Sequence, residues 1–220
     1  MENLFLMVLR FAALVPAIMI HEIAHGYAAL WCGDTTARDA GRLSFNPLRH
    51  VDPFMSVVLP LVLVVSGSSV VFGGAKPVPI NLYRCRDPRK AYWITAIAGP
   101  ASNLAQAALG AALFHALVHI LPDARISVYL RYFLMSYIVT NAVLMVFNLV
   151  PIPPLDGSRL VTVLLPRDLA WRYAQLERWG LFVVFALLWL PGFQSALGRA
   201  VVALVRALGL SDWLILLMLG

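Results

Sequence analysis

Three ionisable side chains in five consecutive positions, His21-Glu22-Ile23-Ala24-His25, carry the clearest chemical signal in this chain. Spaced four apart, the two histidines fall on one face of a helix, where both imidazoles can offer nitrogen to a single ion. Glu22 lies one residue round from His21, within reach of a water held there. An H-E-x-x-H pentad on a helix is the arrangement of zinc-assisted hydrolysis, with the glutamate as general base. An apolar run from about Leu4 leads into the pentad, and Gly26-Tyr27-Ala28-Ala29-Leu30 continues without a turn signal. The pentad is therefore predicted inside a membrane-spanning helix, where ionisable groups are costly and mark function. The plainer alternative, two histidines satisfied at the membrane interface, gives no common reason for three such groups together.

A zinc site needs a third protein ligand, and a catalytic one keeps a fourth position open. Asp156 is the strongest candidate. It follows Pro151-Ile152-Pro153-Pro154, a stretch that cannot stay helical, so its carboxylate can be aimed sideways into the bundle. Gly157 permits a tight turn after it. The alternative role for Asp156 is to cap the helix that follows. His115 and His119 are also four apart but lie late in a later span, and are expected to face the bundle or the far interface. Glu177, followed by Arg178, is poorly placed as a ligand.

The elements that must position these residues read as membrane helices. Of 220 residues, 61% are hydrophobic and 13% charged, and the mean hydropathy is +0.81, which defines an integral membrane protein. A single membrane-embedded domain over residues 1–220 is expected, with a core of 1–166 and C-terminal helices in 167–220. The first twenty residues lack a basic start and run straight into the pentad, unlike a cleaved signal peptide. The net charge of +6 needs no nucleic-acid partner, because basic loops at a cytoplasmic leaflet account for it. Cys32 and Cys85 read as ordinary thiols.

Spans of about 20 apolar residues are predicted at Leu4–Trp31, Ala91–Leu121, Ser127–Val150 and Trp171–Leu190. Residues 193–209 carry Arg199 and Arg206 on one face and read as an interfacial amphipathic helix at least as much as a further span. The fold class is thus an all-α membrane bundle of about five to six transmembrane or interfacial helices. A small helix–strand element interrupts it: Phe54–Phe72 is broken by Pro60 and Ser66-Gly67-Ser68-Ser69, then turns β-branched and aromatic.

Three motifs taken together resemble the signatures of the site-2 protease family of intramembrane zinc metalloproteases, in its short bacterial form without a PDZ domain. They are His21-Glu22-Ile23-Ala24-His25-Gly26, Gly99-Pro100-Ala101-Ser102-Asn103, and Asn148 through Pro151 to Leu155-Asp156-Gly157. The resemblance covers the chain from the first span to about Pro166. It implies one zinc ion bound by His21, His25 and Asp156, with Glu22 activating water. It also puts Asn103 and Asn148 on family positions implicated in holding the substrate strand or the developing oxyanion. Asn46-Pro47-Leu48-Arg49-His50 resembles a motif of the short bacterial members, which brings His50 towards the site. The substrate implied is a single-span membrane protein, such as a trimmed anti-sigma factor or a remnant signal peptide. An inactive zinc-binding adaptor of the same fold is the alternative, and an intact glutamate base weighs against it.

One zinc shared by the pentad and Asp156 requires the first span and Ser127–Val150 to run in the same direction. Residues 33–90 must then begin and end on one face, so Phe54–Phe72 is predicted to be re-entrant rather than a full crossing. Under that path, Arg38, Arg42, Arg49, Lys76, Arg84, Arg86, Arg89, Lys90, Arg159, Arg167 and Arg172 share the zinc face, against Arg125 and Arg131 opposite. This bias puts the active site on the cytoplasmic side of the inner membrane and the N-terminus outside. A substrate helix must unwind before attack, and Val70–Ile80 is expected to receive it by strand addition.

Overall fold

The computed structural model describes residues 2–53, 58, 62, 75–120 and 125–210. The described residues are helical wherever they are regular, and no β-strand occurs among them. Three helices are long and apolar enough to cross a membrane: α1 (Glu2–Cys32), α3 (Pro88–Ile120) and α4 (Arg125–Asn148). Between α1 and α3 lie the one-turn helix α2 (Thr36–Asp39) and 3₁₀ turns at Pro47–Arg49 and Leu82–Arg84. After α4 come α5 (Asp156–Leu164), α6 (Arg167–Ala174), α7 (Glu177–Leu188) and α8 (Pro191–Ala207). The three predicted spans in the first two-thirds of the chain are present, with ends shifted by a few residues. The proposed re-entrant element at Phe54–Phe72 falls almost wholly outside the described residues.

The bundle is built around α1, α3 and α4. The buried side of α1 is a ridge at every fourth residue: Ala13, Ala17, His21, His25 and Ala29, with the three alanines fully buried. A row of small residues lets a neighbouring backbone approach closely without a hydrophobic drive from water. The neighbour is α3, whose inner face is small in turn: Ala96, Gly99, Asn103, Ala107 and Ala111. The two metal-type histidines thus interrupt a line of alanines, and their rings are pressed against α3. Larger side chains such as Phe11, Leu109 and Leu113 remain exposed, as lipid-facing positions should.

The Trp171–Leu190 span expected from hydropathy is not one helix. The chain breaks at Gln175–Leu176 between α6 and α7, and α7 and α8 meet at a bend of 86°. The physical reasons are local. Tyr173 donates its hydroxyl proton to the Pro151 carbonyl at 2.7 Å, and a Cβ on Gly180 would stand 2.1 Å from the Pro153 oxygen, so α7 starts pinned against the proline loop. Pro191, at the first turn of α8, restarts the helix in a new direction. Residues 193–209 also differ from a free interfacial helix: Val201 and Val205 are buried with Ala107, Phe114, Met135 and Ile138. Its amphipathic pattern is real, but the apolar face meets α3 and α4. At its end, the Leu208 carbonyl lies 3.3 Å from Nε2 of the exposed His115.

The loops following α1 and preceding α3 lie side by side, so residues 33–90 begin and end next to one another. The Arg86 amide donates to the Cys32 carbonyl at 3.2 Å. Asp34, fully buried, accepts the Thr36 amide at 2.9 Å, the Thr36 hydroxyl at 2.5 Å and the Asn81 amide at 2.6 Å. Burial pushes this carboxyl up, but the bonds from Thr36 and Asn81, helped by Arg84, outweigh it and hold the acid below its ordinary value. A depressed folded value means the stabilisation is complete above the unfolded value of about 4 and is lost as pH falls through the folded one. Asp34→Asn should therefore cost about 1–3 kcal/mol near neutral pH and flatten the acid limb of the stability profile. Thermal unfolding in detergent checks this, and parallel acid limbs for the two proteins would remove Asp34 from the account. Cys32 and Cys85 are free thiols.

Candidate metal centre

The three predicted ligands meet. Asp156 Oδ2 lies 3.3 Å from His21 Nε2 and 3.2 Å from His25 Nε2, and the two imidazole nitrogens are 3.0 Å apart. For zinc bonds of roughly 2.0–2.1 Å at tetrahedral angles, ligand atoms stand about 3.3 Å apart. All three residues are buried, and no other set of three or more such side chains gathers like this among the described residues.

The hydrogen bonds behind the rings say what the cluster can hold. His25 Nδ1 lies 2.6 Å from the Thr95 carbonyl oxygen, which only accepts, so Nδ1 carries the hydrogen and Nε2 a lone pair. His21 Nδ1 lies 2.5 Å from Asn103 Oδ1, which leaves its Nε2 a lone pair as well. Asp156 Oδ2, buried with no hydrogen-bond donor, adds a third. Three lone pairs converging in a dry site repel one another unless a cation lies between them. Two imidazoles and one carboxylate are the donor set of zinc, and Nδ1 bonds of this kind are its usual outer support.

Each element delivers its residue for a local reason. The α1 ridge brings both rings to α3. Pro100 leaves the Ala96 carbonyl of α3 without its helical donor, and the Thr95 carbonyl, one residue before it, reaches His25. Gly99 makes room: a Cβ there would stand 2.4 Å from His25 Nε2 and 2.5 Å from His21 Cε1. After α4 the proline loop turns back, and α5 begins at Asp156 with no side-chain cap, so the capping role weighed from sequence is not the one it plays. Gly157 is needed for close approach, since a Cβ would lie 2.2 Å from the Leu149 oxygen. The other carboxylate oxygen, Oδ1, faces Arg159 Nη1 at 3.6 Å. Removing the carboxylate by Asp156→Ala should lower zinc affinity by more than the about 10–100-fold typical of outer-shell losses. Chelator competition measures this, and an unchanged affinity would take Asp156 out of the ligand set.

Glu22 stands beside the ligands, half-buried, and its Oε2 accepts the Val78 amide hydrogen at 2.8 Å. Val78 belongs to the extended stretch 75–80, in which Lys76, Pro77 and Pro79 are exposed and Val78 is buried. That stretch is clasped from behind. The His50 carbonyl accepts the Lys76 amide at 2.8 Å, and Arg42 Nη2 donates to the Lys76 carbonyl at 2.5 Å. His50 itself is buried with Nε2 2.7 Å from the Ser44 carbonyl. It supports the segment that meets Glu22, and the bonds it makes are to Ser44, Pro47 and Lys76.

Both asparagines hold hydrogen bonds within the bundle. Asn103 is fully buried, with Oδ1 on His21 and Nδ2 donating to the Ala17 carbonyl at 3.3 Å and to Asn141 Oδ1 at 2.8 Å. Its amide is fully committed, so in this arrangement it braces a ligand and has no hydrogen left for an oxyanion. Asn148 donates to the Leu144 carbonyl of its own helix at 2.9 Å. Thr95, Val78 and Arg159 were not singled out from the sequence: two act through backbone atoms, which no side-chain pattern reports. Glu177 lines a cavity of about 230 Å³ with Tyr92, Thr95, Ser158, Arg159 and Thr162, alongside the residues that follow Asp156.

Two histidines and an aspartate of this kind, sunk among helices long and apolar enough to cross a membrane, with the Glu22 carboxylate beside them, make a zinc site in a membrane protein. The chain belongs to peptidase family M50, the family its three motifs resemble: the sequence model described as Peptidase family M50 matches residues 53–191. That stretch takes in Gly99–Asn103 and Asp156 but starts after the pentad, which geometry joins to them. The chain is 39% identical over 185 residues to "Putative zinc metalloprotease YwhC" of Bacillus subtilis (strain 168), covering 83% of this chain and 80% of that protein. It is 27% identical over 208 residues to "Putative zinc metalloprotease Rip2" of Mycolicibacterium smegmatis, covering 94% and 77% respectively. No solved structure matches it.

Proposed function

We propose that this protein is an intramembrane zinc endopeptidase that cuts a single-span membrane protein within or next to its transmembrane segment. The observation that carries this reading is the convergence of His21, His25 and Asp156 on one buried point inside a bundle of membrane helices, with Glu22 beside it. Zinc bound there would polarise the scissile carbonyl and acidify water. The protein's own part follows from its contacts. The Val78 amide holds Glu22 Oε2, which leaves Oε1 to take a proton from water and pass it to the departing nitrogen. Thr95 and Asn103 keep both imidazoles turned inward. Residues 75–80 are exposed at Lys76, Pro77 and Pro79; with both proline nitrogens lacking hydrogen, they would receive an unwound substrate through carbonyl oxygens rather than as a full strand edge. The excess of Arg and Lys in the loops of this face supports an active site at the cytoplasmic side of the inner membrane, with the N-terminus outside.

The test is cleavage of single-span proteins, among them an anti-sigma factor and a signal-peptide remnant, by the purified chain in lipid vesicles. Product masses should place the cut in or beside the span, chelation should stop it, and added zinc should restore it. Cuts confined to distant soluble tails, or none by the zinc-loaded protein across the panel, would overturn the reading.

A further inference from the structure

We infer that Asn141, at mid-span in α4 and in contact with no ligand atom, is a positioning residue that sets the tautomer of His21 through Asn103. The inference rests on the metal reading of the site and goes beyond it.

The argument is one of hydrogen-bond direction. An asparagine side chain can be turned over, exchanging its carbonyl and amino ends, and only its partners decide which end points where. A backbone carbonyl settles that choice, because it can only accept. Asn141 Nδ2 lies 2.9 Å from the Tyr137 carbonyl oxygen, so the amino end of Asn141 points to Tyr137 and Oδ1 points away. Oδ1 lies 2.8 Å from the Asn103 side chain and can only accept from it, so the atom there must be the amino nitrogen. Asn103 is thereby fixed with Oδ1 towards His21 Nδ1 at 2.5 Å. That oxygen can only accept, so Nδ1 carries the hydrogen and Nε2 faces Asp156 with a lone pair. The Ala17 carbonyl, 3.3 Å from Asn103 Nδ2, points the same way but is the longer contact.

Both asparagines are fully buried, where a mismatched pair of acceptors or donors is expensive and water cannot repair it. Without Asn141, the amino end of Asn103 keeps only the long bond to Ala17, and the side chain can turn over. An Asn103 amino group facing His21 Nδ1 favours the tautomer with hydrogen on Nε2, which cannot bind a metal. His25 is an internal control: the Thr95 carbonyl fixes its tautomer with no asparagine involved.

The experiment uses the full chain, ¹⁵N-labelled at histidine, in detergent. In the metal-free wild type, ring nitrogen shifts should show hydrogen on Nδ1 for both His21 and His25. In Asn141→Leu, His21 should become a mixture of tautomers while His25 is unchanged, and zinc affinity by chelator competition should fall about tenfold, the lower end for outer-shell partners. In an Asn103→Asp background the carboxylate accepts whichever way it turns, so adding Asn141→Leu should cost no further zinc affinity. A wild-type His21 with hydrogen on Nε2 overturns the inference without any variant, which covers an Asn141→Leu protein that fails to fold. Equal tautomer changes at His21 and His25, or an affinity loss that persists beside Asn103→Asp, also overturns it and marks Asn141 as merely structural. A wild type that binds no zinc would instead strike at the metal reading.

Discussion

Glu22→Gln is expected to abolish peptide cleavage and leave both zinc content and fold intact. The two outcomes separate because Glu22 has two separable jobs. Its Oε2 accepts the Val78 amide hydrogen, and the carbonyl oxygen of glutamine accepts the same bond, so the 75–80 segment stays in place. What glutamine cannot do is take a proton, and loss of a positioned general base costs about 10²–10⁴-fold in rate. No ligand atom is touched. Cleavage rate, metal content and helical signal measured on one preparation decide the matter. Activity within a few-fold of the wild type would refute the assignment of Glu22 as base.

Gly99→Ala should do the reverse, emptying the metal site before any chemistry is reached. The added Cβ would stand 2.4 Å from His25 Nε2, 2.5 Å from His21 Cε1 and 2.6 Å from His25 Cε1. Flexible side chains can often yield to such a methyl group, but these rings cannot. His25 is tied to the Thr95 carbonyl one turn away on the same helix, and His21 to Asn103 one turn the other way. Relief requires α1 and α3 to separate, and that opens the alanine seam along its length. Zinc affinity is expected to fall by more than about 100-fold, beyond the range of outer-shell losses, with cleavage falling alongside. Gly198→Ala is the matched control: nothing stands within 4 Å of its Cβ position, and alanine in mid-helix is favourable by up to about 1 kcal/mol. A Gly99→Ala protein that still binds stoichiometric zinc would show that the seam can yield.

How much of this was legible in the sequence differs from residue to residue. His21, His25 and Asp156 were readable because ligand chemistry lives in side chains whose cost in a membrane demands a reason. Spans at α1, α3 and α4 were readable because crossing a bilayer needs length and hydropathy, both local properties. The break at Gln175–Leu176 was not, because it arises where α7 is pinned at Gly180 to a loop almost thirty residues earlier in the chain, whereas the end of that helix before Pro191 was. Asn103 was found, but its role came from motif position. Its partners Ala17 and Asn141 are distant in sequence, and only they reveal that both amide hydrogens are spent. Asn141 did leave a signal, a lone amide in mid-span, since polar groups at that depth need a partner.

The row Ala13, Ala17, His21, His25, Ala29 has one more implication. Where two helices touch through methyl groups and a glycine, no side chain can swing aside to make a doorway. On the function proposed above, a substrate would reach the metal site by the flank where Glu22 meets Val78 rather than through this seam. Among the described residues there, the backbone of 76–78 is fastened by hydrogen bonds to Glu22, Arg42 and His50. Its release would free the Glu22 oxygen that the Val78 amide now holds.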